Sequence, residues 1–108
     1  MITISITTGE LLDRVSILYI KNSKFKGEKR KETLKELKRL LPIVSPLLEN
    51  SNIDDLYTDL MGINFEIWEL KDKLKDIKAK SSIAEISRLI LAYKERKLLI
   101  EQVNIQTS

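Results

Sequence analysis

Four polar residues stand on or beside apolar helix faces, and they are the first candidates for chemistry. Asp13 and Arg14 interrupt the run Leu11, Leu12, Val15, Leu18 and Tyr19; Asn64 precedes Trp68 by one helical turn; Arg96 lies between Leu89 and Leu99. A buried Asp, Asn or Arg has to be paired, so these residues predict a polar network between helices. One use of such a network is to set helix register and oligomeric state, as a single polar seam residue does in coiled coils. The other is recognition: Arg14 and Arg96 could line a small pocket for a carboxylate or a phosphate. Glu10 and Trp68 flank these positions and complete the candidate set of Glu10, Asp13, Arg14, Asn64, Trp68 and Arg96. The chain has no His and no Cys, which excludes imidazole bases, thiolate nucleophiles, disulfides and Cys/His zinc sites.

A second row of chemically capable groups is Glu66, Glu69 and Asp72, three carboxylates at helical spacing. The E-x-x-E-x-x-D pattern resembles half of the magnesium site of all-α nucleotide pyrophosphohydrolases. Such a site needs a further carboxylate pair on a neighbouring helix, and no such pair is visible. Ile63, Ile67 and Leu70 claim the inward face, so the three acids are expected to point outward and pair with Lys71 and Lys73. No metal, cofactor or catalytic residue is therefore expected.

The elements that must position these groups are helical. At 108 residues and 43% hydrophobic content, the chain has the size and apolar surface for one domain with its own core. Residues 1–6 alternate Ile with polar residues at the period of a half-buried strand, and no second strand pattern follows. This predicts an extended arm that lies against the helices, stays frayed or pairs with the same arm of another copy. Thr7 and Glu10 form a capping-box pattern that opens a helix over 8–26, with Gly27 as its stop. A second helix over 28–50 repeats Leu34, Leu37, Leu41, Val44 and Leu48 as a heptad seam, and Pro42 and Pro46 predict a kink or restart near Leu41. Ser51 and Asn52 cap a third helix over 53–79, whose Ile53, Leu56, Leu60, Ile63, Ile67, Leu70, Leu74 and Ile77 hold three-four spacing throughout. Ser82 to Glu85 repeat the capping box before a fourth helix over 83–104, with Ile83, Ile86, Ile90 and Tyr93 on its apolar stripe and a frayed end beyond it. Short connections make neighbours antiparallel, so the fold class is all-α: an up-down four-helix bundle or two paired helical hairpins, in a single domain.

Charge is sorted along the chain. The net +3 hides a segment from Lys21 to Arg39 with nine basic and three acidic residues, and a segment from Leu40 to Leu70 with six acidic and no basic ones. Lys71 to Lys80 is again basic. In an up-down arrangement the two basic segments share one end of the molecule. Many of these lysines sit at helix C-termini, where cations complement the dipole. Lys29, Arg30 and Lys31 open a helix instead, where basic residues are mildly unfavourable, and so they raise the prospect of an anion-binding end. The candidates are Lys24, Lys26, Lys29, Arg30, Lys31, Lys75 and Lys78, and any nucleic-acid contact they made would be to the backbone.

The run Gly9-Glu10-Leu11-Leu12-Asp13-Arg14, followed by Ile17-Leu18-Tyr19-Ile20-Lys21, resembles the GELLD[KR]xxILxIK signature of a family of short uncharacterised bacterial and phage proteins. Asn64, Trp68 and Asp72 resemble that family's N-x-x-x-W-x-x-x-D block, and Arg96 to Asn104 its terminal R-x-x-L-x-x-x-[IV]-N helix. The resemblance implies an all-helical intracellular protein and carries no activity with it.

Together these readings predict a small helical interaction or adaptor module that acts as a homodimer with a further, unknown protein partner. The alternative is a small-ligand or enzyme domain with an Arg-lined interhelical pocket, and a further one is nucleic-acid backbone binding through the basic end. No stretch of about 18 apolar residues is present and residues 1–6 lack a signal-peptide pattern, so no membrane span and a cytoplasmic location are expected.

Overall fold

The computed structural model describes residues 6–75 and 82–108 and is helical almost throughout them, with no strand among the described residues. Four helices run in order: α1 (Thr8–Lys24), α2 (Gly27–Val44), α3 (Ser51–Lys75) and α4 (Ser82–Thr107), with a short 3-10 turn at Leu47–Glu49 between α2 and α3. Residues 1–5 of the proposed arm lie outside the described residues; Ile6 is exposed and non-helical.

Local chemistry accounts for most helix ends. Thr7 caps α1 by accepting from the Glu10 amide at 3.1 Å, and its hydroxyl donates to Glu10 Oε1, so the acid grips the cap side chain rather than the cap amide. α1 stops at Lys24, two residues before the anticipated end at Lys26. Gly27, at φ +66°, supplies the left-handed residue that turns the chain into α2. Pro42 sits inside α2 near its end, and the helix closes at Val44 after the Ser45 amide bonds the Leu41 carbonyl. The restart after Pro46 is the 3-10 turn rather than a continued helix to residue 50. Asn50, not Ser51 or Asn52, caps α3: its Oδ1 accepts from the amides of Asn52 and Ile53. α4 runs on to Thr107 instead of fraying after residue 104, because Val103 is fully buried and the Asn104 side chain is held against α1.

Cross-chain bonds give the helix directions. Gly9 meets Asn104 and Asp13 meets Arg96, so α1 and α4 run antiparallel. Asp13 meets Asn64 and Lys24 meets Glu69, so α1 and α3 run parallel. α1 packs closely against all three other helices, whereas the α2 backbone comes close to neither α4 nor α3 and is linked to α3 through the 3-10 turn. The molecule is thus two helical hairpins with α1 at their junction. Coverage from three sides explains why α1 buries Asp13, Ser16 and Ile20 as well as Leu12, Val15 and Leu18. The main cluster adds Leu37, Val44, Ile53, Leu60, Ile63, Ile67, Ala92 and Val103. No helix among the described residues is long and apolar enough to cross a membrane.

Candidate functional site

Where α1, α3 and α4 meet, three of the anticipated polar residues converge. Asp13, only 7% exposed, receives a two-pronged fork from Arg96: Nε donates to Oδ1 at 2.9 Å and Nη2 to Oδ2 at 2.6 Å. Asn64 Nδ2 donates to the same Oδ1 at 2.8 Å and to Ser16 Oγ at 2.7 Å. Ser16 closes the set by donating to the Asp13 carbonyl oxygen. Each prong is a charge-assisted bond to a buried carboxylate from a partly exposed guanidinium, whose planar fork matches the two oxygens. The hydrogen bonds to Asp13 raise the Arg96 guanidinium above its ordinary pKa, with partial burial opposing, so this cation stays charged at any working pH.

Arg96 also lines a cavity of about 160 Å³ between the same helices. Asn64 and Trp68 contribute from α3 and Tyr93 from α4, with buried Ile20 and Ile67 in the walls. Two further cations reach it, Lys21 from α1 and Lys71 from α3, and no acid among the described residues lines it. Trp68 leans edge-on against Phe25, with ring centroids 5.8 Å apart, which ties the cavity wall to the start of the α1–α2 connection.

Comparison with family models, with curated proteins and with solved structures finds no match to this chain.

Other candidates are placed elsewhere. Arg14 turns toward α2, where its Nε donates to Glu36 at 2.8 Å, so it does not share the cavity with Arg96. The two arginines diverge because α1 is covered on both sides, Asp13 facing α4 and Arg14 facing α2. Glu10 is exposed and serves the α1 cap.

The carboxylate row is dispersed among separate ion pairs, and the partners differ from the anticipated Lys71 and Lys73. Glu66 takes a fork from Arg88, Glu69 takes Lys24 at 2.5 Å, and Asp72 lies 3.9 Å from Lys75. Helix α4 and the end of α1 supply Arg88 and Lys24 from outside the helix, which a within-helix reading overlooks, while Lys75 pairs with Asp72 within α3. Among the described residues no group of three or more possible metal ligands forms.

At the basic end, Lys24 also sits 5.0 Å from the Phe65 ring centre, and Lys29 lies 5.7 Å from that of Phe25. Lys31 stands 3.5 Å from Glu28. Lys26 and Arg30 are exposed and make no ion pair with the described residues; Lys78 lies outside them. The phenylalanine contacts place part of this cationic surface over aromatic faces.

Lys21, Lys71 and Ser16 join the site without standing among the sequence candidates for it. A signal was present: Asn64, Trp68 and Lys71 fall at i, i+4 and i+7 on one stripe of α3, and Ile17 and Lys21 share a stripe of α1.

Proposed function

We propose that this chain is a non-catalytic helical interaction module that works as a homodimer, its first partner being a second copy of itself. The observation that carries this reading is the outer surface of α4. Ala92 and Val103 face the core, while Leu91, Leu98 and Ile105 are 51%, 59% and 63% exposed, and Ile83 reaches 83%. A helix that is apolar on both its inner and outer faces belongs in a fully covered setting.

The spacing favours self-pairing. Leu91, Leu98 and Ile105 recur every seven residues, so an antiparallel α4 pair centred on Leu98 sets each Leu91 against Ile105 of the second copy. The same register brings Lys94 beside Glu101 of the second copy, twice by symmetry, and Glu95 beside Gln102. Next to Leu98 a groove of about 520 Å³ runs between α3 and α4, and the space around Gly62 is open, which leaves room for the flank of another helix. A cytoplasmic setting in a bacterium or phage is part of this proposal, supported by the resemblance of the Gly9–Lys21 signature. The identity of a further protein partner would follow from what the dimer retains.

Sedimentation equilibrium tests it. The wild type is expected at twice its 12.5 kDa mass, and Leu98→Glu at the monomer mass with helical circular dichroism unchanged. Lys94→Glu should weaken the dimer and Lys94→Glu with Glu101→Lys should restore it. A wild type that stays monomeric at hundreds of micromolar ends the reading.

A further inference from the structure

We infer that the cavity between α1, α3 and α4 is a binding site for a small dianion, either a phosphate group or a short dicarboxylate. Its charge is out of balance. Lys21, Lys71 and Arg96 all line it, and the acid bonded to one of them, Asp13, is fully engaged by Arg96 and Asn64. Neither Lys21 nor Lys71 makes an ion pair with any described acid, so the cluster holds two positive charges beyond its one carboxylate. Of the Arg96 nitrogens, Nε and Nη2 are spent on Asp13, and Nη1 has no protein partner among the described residues.

The walls sharpen the imbalance. Ile20 and Ile67 are buried and Trp68 is half-buried, so like charges here repel through a medium poorer than water. Lys21 and Arg96 are half-buried and Lys71 is exposed at the rim, so their mutual repulsion is only partly screened by water and an anion between them relieves it. Two negative charges balance the set, and a guanidinium with two ammonium groups is a donor set suited to phosphate or carboxylate oxygens.

Size narrows the class. At about 160 Å³ the cavity equals roughly five waters' share of liquid volume, well under the roughly 300 Å³ at which sites for drug-sized ligands begin. A phosphate with a short carbon tail fits that allowance, and a whole nucleotide does not. The site is also independent of self-pairing: at about 100° per residue, Arg96 points roughly opposite to Leu91 and Leu98 around α4.

Trp68 is the chain's single tryptophan and lines the cavity, so its fluorescence reads occupancy directly. The experiment titrates the full chain with inorganic phosphate and with malonate, each against sodium chloride of matched ionic strength. A saturable change with either dianion, absent with chloride, is expected. Lys21→Gln and Lys71→Gln, checked for unchanged circular dichroism, should each shift the midpoint at least about tenfold upward, the loss of one charge-assisted contact. Leu98→Glu should leave the midpoint in place, which separates this site from the dimer. A signal that follows ionic strength alone, or midpoints unmoved in both lysine variants, overturns the proposal. A short single-stranded oligonucleotide forms the last arm: if it moves Trp68 where phosphate and malonate do not, the cations serve a nucleic-acid surface and the proposal fails.

Discussion

The Gly9 amide donates to Asn104 Oδ1 at 2.7 Å, fastening the first turn of α1 to the last turns of α4. A Cβ placed on Gly9 would lie inside contact distance of the Ile100 carbonyl oxygen and 2.9 Å from Asn104 Oδ1. The backbone oxygen cannot swing aside as a side chain would. Gly9→Ala is therefore expected to force the helices apart and cost about 1–3 kcal/mol in urea unfolding. Asn104→Ala, which leaves a buried amide without its acceptor, should cost a similar amount, about 1–3 kcal/mol.

The Asp13 fork makes a sharper forecast. Asp13→Ala strips the carboxylate from Arg96 and Asn64 together, and losing one partner of a buried pair costs about 3–5 kcal/mol. Arg96 is partly exposed, so a value at the lower end is expected. The double variant Asp13→Ala with Arg96→Ala should lose less than the two single losses added together, because neither charge is then stranded. Chemical denaturation of the four proteins in the cycle measures the coupling, and strict additivity would contradict the geometry.

Tyr57 behaves in the opposite sense. Its hydroxyl is buried without a hydrogen-bond partner among the described residues, and burial, with Tyr19 and Asp54 nearby, pushes the phenol up to about 12. The fold prefers the neutral ring, so this stabilisation is complete below the unfolded value of about 10 and is lost as pH rises through 12. Tyr57→Phe should be neutral or stabilising by up to about 1 kcal/mol at neutral pH, since it removes an unpaired polar atom. It should also flatten the alkaline decline in melting temperature between these limits.

Glu66 governs part of the acid limb. The Arg88 hydrogen bond holds its carboxyl below the ordinary glutamate range, with desolvation opposing and the Arg88 charge assisting. A lowered folded-state value means stability present above the unfolded value of about 4.3 and lost as pH falls through the folded one. Glu66→Gln should therefore show a shallower loss of melting temperature under acid than wild type. The pair is partly exposed, so added salt should shrink the difference.

The sequence was most legible where one face decides burial. In α3, Ile53, Leu60, Ile63, Ile67 and Leu70 are all buried at the spacing that marks them. In α1, Leu12, Val15 and Leu18 are buried, yet Tyr19 is exposed and Ser16 is not, because three neighbours cover a wider arc than one amphipathic stripe describes. α4 departs from its sequence pattern for a different reason. Ile83, Ile86 and Ile90 look like core and are exposed, whereas Ala92 is fully buried. Periodicity cannot choose the inward face of a helix that is apolar on several sides. Asp13, Asn64 and Arg96 were foreseeable as partners because buried polar groups must be paired. Lys21 and Lys71 were not, because which helices stand beside them depends on packing rather than on spacing within one helix.

The bond between Gly9 and Asn104 also says where the chain could be cut and rejoined. Residues 95 apart in sequence lie side by side, so a short flexible linker could join the start of α1 to the end of α4. New ends would then open in the exposed Ser45–Pro46 turn, between the two hairpins. In that permuted chain α3 and α4 would be made first and α1 would arrive onto a finished groove, whereas in the natural order α1 must wait for the last helix before its first turn can dock.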